Sequence, residues 1–179
     1  MQRILLTTAL SSFLALTTAT AFAAEKSIDI MAISATGTGA KIGTVMAKDS
    51  KHGLVLTPSL TGLNPPGPHG FHVHEKPDCG PGPGANNAPA AGMAAGGHYD
   101  PMKTGKHHGP HGKGGHKGDL PPLVVNGDGT ATLPVIAPQL KVKDLAGKAL
   151  MIHAGGDNYD DTPAPLGGGG PRIACGVIK

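Results

Sequence analysis

Seven residues have side chains and spacings suited to holding metal ions. Two stand in "HGFHVHE", His69–Glu75. Drawn out as a strand, this segment turns Phe71 and Val73 to one face and His72 and His74 to the other. Alternate Cα atoms on a strand are about 7 Å apart, so both imidazoles can reach one ion. A pair of exposed sheet histidines is the plain alternative. His153 follows the apolar run "ALMI" at the end of a later strand-like segment. The remaining four lie in Gly97–Asp119, "GHYDPMKTGKHHGPHGKGGHKGD", which holds five of the chain's ten histidines. There His98, His107, His116 and Asp119 are spaced by nine, nine and three positions. Three imidazoles and one carboxylate make a closed four-coordinate set, which suits structural zinc. An imidazole-rich set with an open position suits copper. The competing reading is a solvated His/Gly tract with interchangeable ligands. His108 and His111 fit no regular place and are expected to face solvent. His69 has the parity of the apolar pair, so it is expected beneath the site, orienting a ligand without being one.

Short β-rich segments must position these side chains: Ser27–Ser34, Lys41–Lys48, His52–Pro58, His69–Glu75, Leu123–Asn126, Thr130–Ile136, Lys148–Ala154 and Arg172–Ile178. No long amphipathic helix interrupts them. About eight short strands with Gly and Pro punctuation predict an all-β fold, an antiparallel barrel or sandwich. "NGDG", Asn126–Gly129, reads as a hairpin turn between two of the strands. Three connections are long, 76–97, 99–122 and 155–171. Loops of that length in a compact domain are commonly functional or disordered.

The first residues, "MQRILLTTALSSFLALTTATAFA", combine an early arginine, an apolar Leu/Ala/Thr run and a small-residue A-x-A end. That pattern predicts an export signal over 1–23 and one mature domain over 24–179. No later run is long enough to span a membrane, so none is expected after processing. Aromatic residues are few, there is no Trp, and the net charge is only +3, which argues against a nucleic-acid partner. The two cysteines, Cys79 and Cys175, are expected to pair in an oxidising compartment. Closing a loop of that length stabilises a fold by roughly 4–5 kcal/mol in the chain-entropy picture.

"GFHVHE", "GGHYDP", "TGKH", "GDLPPLVVNGDG", "GKALMIHAGGDNYDD" and "GGGGPRIACGVIK" together resemble the copper/zinc superoxide dismutases, in particular their bacterial periplasmic branch. The resemblance runs in order from about Gly70 to the C-terminus and implies a Greek-key barrel with long metal-binding and active-site loops. It implies His72, His74 and His153 as copper ligands and His98 as a bridge between copper and zinc. His107, His116 and Asp119 would complete the zinc set. Asp157 resembles the aspartate that links a copper ligand to a zinc ligand, and Arg172 the arginine that attracts and orients superoxide beside copper. The implied reaction is dismutation of superoxide to dioxygen and hydrogen peroxide by cycling of copper, with His98 handing on a proton. The resemblance further implies a periplasmic protein acting as a homodimer or a monomer. A non-catalytic copper/zinc buffer is the alternative. It would need the ligands but neither Arg172 nor Asp157. The Ala/Pro/Gly stretch after Cys79 departs from the pattern and is read as uninformative about chemistry.

Overall fold

The computed structural model describes residues 23–179. Positions 1–22, most of the expected export signal, lie outside the described residues. Eleven strands follow in chain order: β1 (Glu25–Ser34), β2 (Gly37–Ser50), β3 (Gly53–Leu60), β4 (Gly67–His69), β5 (Phe71–His74), β6 (Gly82–Pro83), β7 (Pro89–Ala90), β8 (Leu123–Val125), β9 (Val135–Ala137), β10 (Lys148–His153) and β11 (Arg172–Ile178). Seven form one antiparallel sheet in the order β5-β10-β11-β1-β2-β3-β9. β4 pairs with β8, and the two-residue strands β6 and β7 pair with each other. The fold is all-β and curls on itself, with non-consecutive neighbours at β11/β1, β10/β5 and β3/β9 as in a Greek key.

Period-two patterning makes these strands. Ile28 and Ile30 of β1 are buried while Asp29 between them is exposed. Val45 and Ala47 of β2 are buried around exposed Met46. Leu54, Leu56 and Leu60 of β3 point inward, and Thr57 and Ser59 point out. These side chains join Phe71, Val73, Leu123, Leu150, Ile152 and Ile178 in one apolar core. A smaller cluster of Cys79, Ala95, Ala149, Met151 and Cys175 packs on the other face of β10 and β11. The Cys79–Cys175 disulfide lies in it and fastens the loop after β5 to β11.

Three sequence expectations change. "HGFHVHE" is two strands, β4 and β5, separated by Gly70, and β5 is not half-exposed. All four of its residues are buried, because loops cover its outer face. "NGDG" is a turn, with Asn126 N–H donating to Thr130 O at 2.7 Å and Gly129 at φ +79°. It is not a hairpin, since β8 pairs with β4 and β9 pairs with β3. Of the expected strand Thr130–Ile136, Ala131 makes one bridge to Leu60, and regular pairing resumes only at Val135. Pro134 between them has no N–H to offer a ladder. No helix among the described residues is long and apolar enough to cross a membrane.

Candidate metal centre

The site forms where two loops cross β5. Val73 N–H donates to Gly118 O at 2.8 Å, Tyr99 N–H donates to Val73 O at 2.7 Å, and Gly118 N–H donates to Tyr99 O at 2.9 Å. This three-way crossing sets Asp119 opposite His72 and His98 opposite His74. It requires glycine at 118, where a Cβ would run into Val73 O and sit 2.8 Å from Tyr99 N. The neighbouring strand β10 delivers His153, whose N–H donates to Gly70 O at 2.9 Å.

Two four-residue groups of possible ligands result, His72/His74/His98/His153 and His98/His107/His116/Asp119, all buried, with the ligand atoms of each group within 4.8 Å of one another. His98 belongs to both. Its Nδ1 faces Asp119 Oδ1 at 3.0 Å, leaving its other ring nitrogen for the first group. On the same Asp119 oxygen converge His107 Nδ1 at 3.0 Å and His116 Nδ1 at 3.4 Å.

The ring nitrogens test whether metal ions fit. Buried polar atoms almost always have partners. Yet His72 Nδ1, His74 Nε2 and His153 Nε2 in the first group have no hydrogen-bond partner, and His107 Nδ1 and His116 Nδ1 in the second make no well-directed hydrogen bond, facing only the Asp119 carboxylate. In four of these five rings the opposite nitrogen is bonded: His72 Nε2 to Asp157 (2.7 Å), His74 Nδ1 to Gly96 O (3.0 Å), His107 Nε2 to Asp157 (2.8 Å) and His153 Nδ1 to Gly170 O (3.0 Å). An imidazole held by one nitrogen, with the other bare and aimed at its neighbours, is how a metal-ligating histidine is oriented. The donor sets fit: four imidazoles on one side suit copper, and three imidazoles with a carboxylate suit zinc.

Electrostatics point the same way. Burial, then the nearby His98, holds His72 down at about 3. Burial likewise holds His153 at about 4 and lowers His74 and His98. Neutral rings keep the lone pairs that a metal needs. His107 differs. Burial would lower it, but the carboxylates of Asp119 and Asp157 raise it to about 9. Both carboxylates are themselves buried, which opposes ionisation. The histidines hydrogen-bonded to them nonetheless hold them well below the usual carboxylate range. The zinc-type pocket is therefore an anionic seat that takes up positive charge.

Asp157 lies between the groups, one oxygen on His72 and the other on His107. His69 sits beneath. Its ring nitrogens face His153 O at 2.6 Å and Pro65 O at 2.7 Å, so it touches the main chain of a possible ligand and belongs to neither group. A cleft of about 550 Å³ leads to His98 and His153 past Met93, Leu166 and Arg172. Arg172 donates from one terminal nitrogen to Gly92 O at 2.6 Å and from the other to Gly96 O at 2.8 Å. A guanidinium has five N–H donors, so others remain for an anion in the cleft. The stretch after Cys79, which the sequence left without chemical meaning, supplies both carbonyls. Main-chain acceptors leave no side-chain signature, so nothing in the sequence could have marked them. His108 and His111 are exposed and lie in neither group. The main-chain N–H of His108 donates to Asp119 Oδ2 at 3.3 Å, while its ring faces Lys113 O at 3.5 Å.

Residues 41–178 match the family described as copper/zinc superoxide dismutase (SODC). The chain belongs to this family. The Salmonella typhimurium protein named superoxide dismutase [Cu-Zn] 2 is 55% identical over 158 residues, spanning 88% of this chain and 90% of that one. Among solved structures, the copper/zinc superoxide dismutase from Brucella abortus superposes with a TM-score of 0.83 at 46% identity, over 87% of this chain and 100% of that one. The solution structure of the monomeric copper, zinc superoxide dismutase from Salmonella enterica gives a TM-score of 0.77 at 54% identity, over the same shares. Copper and zinc are the metals of the family, and the two histidine groups offer one seat for each.

Proposed function

We propose that this copper/zinc superoxide dismutase family member converts two superoxide ions and two protons into dioxygen and hydrogen peroxide. His72, His74, His98 and His153 hold copper, and His98, His107, His116 and Asp119 hold zinc. The observation that carries this reading is the pair of ligand groups sharing His98 at the floor of a cleft that Arg172 borders. Copper held there supplies the one-electron redox change that oxidises one superoxide and reduces the next. Every other part of the reaction falls to the chain's own residues. The Arg172 guanidinium, partly buried and fixed by two carbonyls, draws in a small anion and orients it at the cleft floor. His98 presents one nitrogen to each group, and the nitrogen facing away from Asp119 is where a proton for the product can be held. Asp157 fixes the rings of His72 and His107 together, so that the geometry of one seat follows the other. His69 steadies the main chain under His153.

Residues 1–23 act as an export signal and residues 24–179 as the mature periplasmic domain. The low fraction of aromatics and the modest charge leave no nucleic-acid partner in this reading. The chain works as a monomer, which the relative described as monomeric favours. The direct test reconstitutes the mature chain with copper and zinc, measures metal content and copper absorption, and follows superoxide decay. One ion of each metal with rapid decay is expected. Full metal uptake without decay would make the chain a metal buffer instead. Sequencing of the N-terminus of exported protein checks the cleavage, and sedimentation the monomer.

A further inference from the structure

The loop that carries Asp157 holds a second carboxylate that crosses to the histidine loop. Asp161 Oδ2 accepts the main-chain N–H of His107 at 3.0 Å. Its Oδ1 accepts the main-chain N–H of Leu166 at 3.2 Å. His107 lies 54 residues earlier in the chain, and Leu166 lines the cleft beside Pro165 and Arg172. One side chain thus ties a member of the second ligand group to the wall of the substrate cleft.

The neighbouring polar residues behave differently. Asp160 Oδ1 accepts the N–H and O–H of Thr162 at 2.9 and 3.0 Å, closing only its own turn. Asn158 bonds Asp160 N–H and Thr162 O, both at 2.9 Å. Both side chains bond only within residues 158–162, whereas Asp161 reaches out of the turn. Tyr159 lies over Gly109, where a Cβ would be 2.6 Å from the ring, so the same two loops also touch through an apolar contact. Leu166 is held at φ +55°, a left-handed conformation that a branched side chain keeps only with outside support. The bond to Asp161 gives that support.

We propose that Asp161 is a positioning residue, a latch that fixes the main chain of His107, and with it the Nδ1 of that ring beside Asp119, while holding the cleft wall at Leu166. It touches neither substrate nor metal. The latch rests on the assignment of zinc to His98, His107, His116 and Asp119. Loss of a partner that orients a ligand typically costs 10–100-fold in metal affinity.

The test uses the mature chain loaded with zinc. Release of zinc to the chelator 4-(2-pyridylazo)resorcinol is timed, and amide hydrogen exchange is read at His107 and Leu166. Asp161→Ala is expected to release zinc about 10–100-fold faster and to lose protection at both amides. Asp161→Asn keeps one acceptor oxygen and turns an NH2 toward the other N–H. It should fall between, losing protection at one of the two amides, and it decides the question if Asp161→Ala does not fold. Asp160→Ala should release zinc as the parent does. Parent-like release from Asp161→Ala, or full protection of both amides in either Asp161 variant, overturns the latch. A parent chain that takes up no zinc overturns the zinc assignment instead, and the amide exchange then judges the latch on its own.

Discussion

The barrel and the loop layer over β5 are held by different forces. In the barrel, Ile28, Ile30, Leu54, Leu56, Leu150 and their neighbours bury apolar surface. The stabilisation is spread over many contacts and none is directional. The loop layer has little to bury. Between Gly97 and Asp119 the one aliphatic residue, Met102, is 80% exposed. What fixes it is directional: hydrogen bonds at Gly118 and Tyr99, carboxylates on histidine nitrogens, and bare nitrogens aimed at a common point. The barrel should therefore fail gradually and alter stability, while the loops should fail at single atoms and alter chemistry.

The largest expected effect belongs to the residue both ligand groups share. His98→Ala is expected to abolish superoxide decay and to change the copper absorption, while the metal-free chain keeps its strand content by circular dichroism. If the variant took up both ions with an unaltered spectrum, His98 would not bridge them, and the loops would not depend on single residues.

A change of similar size in the barrel should have the opposite character. Leu56 is fully buried, and Leu→Ala at such sites costs about 2–5 kcal/mol, part of it from the cavity left behind. Leu56→Ala should lower the unfolding free energy by that amount while activity per folded, metal-loaded molecule stays at the parent level. A drop in activity per folded molecule would mean that the barrel and the loops are not separable in this way.

The same division decides what could be read from the sequence. Period-two patterning on β1, β2 and β3 is local, and it shows in Ile28/Ile30 and Leu54/Leu56 without knowledge of any partner strand. Thr130–Ile136 has the same composition, but its pairing depends on where Pro134 falls and on a distant strand, β3. At the site, side chains with distinctive chemistry could be picked out by type and spacing, and the residues so marked lie in the two groups that converge in space. The burial of all of β5 could not be foreseen, because it comes from loops whose bridging residues, His98 and Asp119, lie 24 and 47 positions from their partners His74 and His72. The carbonyls of Gly92 and Gly96 were equally hidden, since every residue has a carbonyl and only the fold says which two meet Arg172.

Arg172 sharpens the comparison, because it acts on the substrate from the rim of the loop layer. Reversing its charge removes the attraction and the guanidinium bonds to Gly92 O and Gly96 O, which keep Ala95 N–H and His74 Nδ1 as partners. Arg172→Glu is expected to keep both metals and to slow superoxide decay about 10- to 100-fold at low ionic strength. The parent rate should fall as salt is added, and the variant rate should not. Equal rates and equal salt dependence would remove the steering role and leave Arg172 as a brace for the loop.

The smallest expected effect comes from a carboxylate on the barrel. Asp29 on β1 pairs with Lys41 Nζ at 2.7 Å, as short as the contact of Asp157 with His72. The side chains of the surface pair are 64% and 48% exposed, whereas those of Asp157 and His72 are fully buried. Water and salt screen the surface pair, and two flexible side chains lose freedom to form it, so it is worth at most about 1 kcal/mol. Asp29→Asn should leave the denaturation midpoint within error of the parent and metal retention untouched. Asp157→Asn removes the same charge at the same distance, yet it leaves one of two buried imidazoles facing an amide NH2 in place of an acceptor. Its metal retention should therefore fall while the barrel's denaturation midpoint hardly moves. If the two substitutions had equal effects, distance alone would govern these carboxylates. A difference confined to metal retention would show that burial and a second partner, not separation, give the loop-layer aspartate its importance.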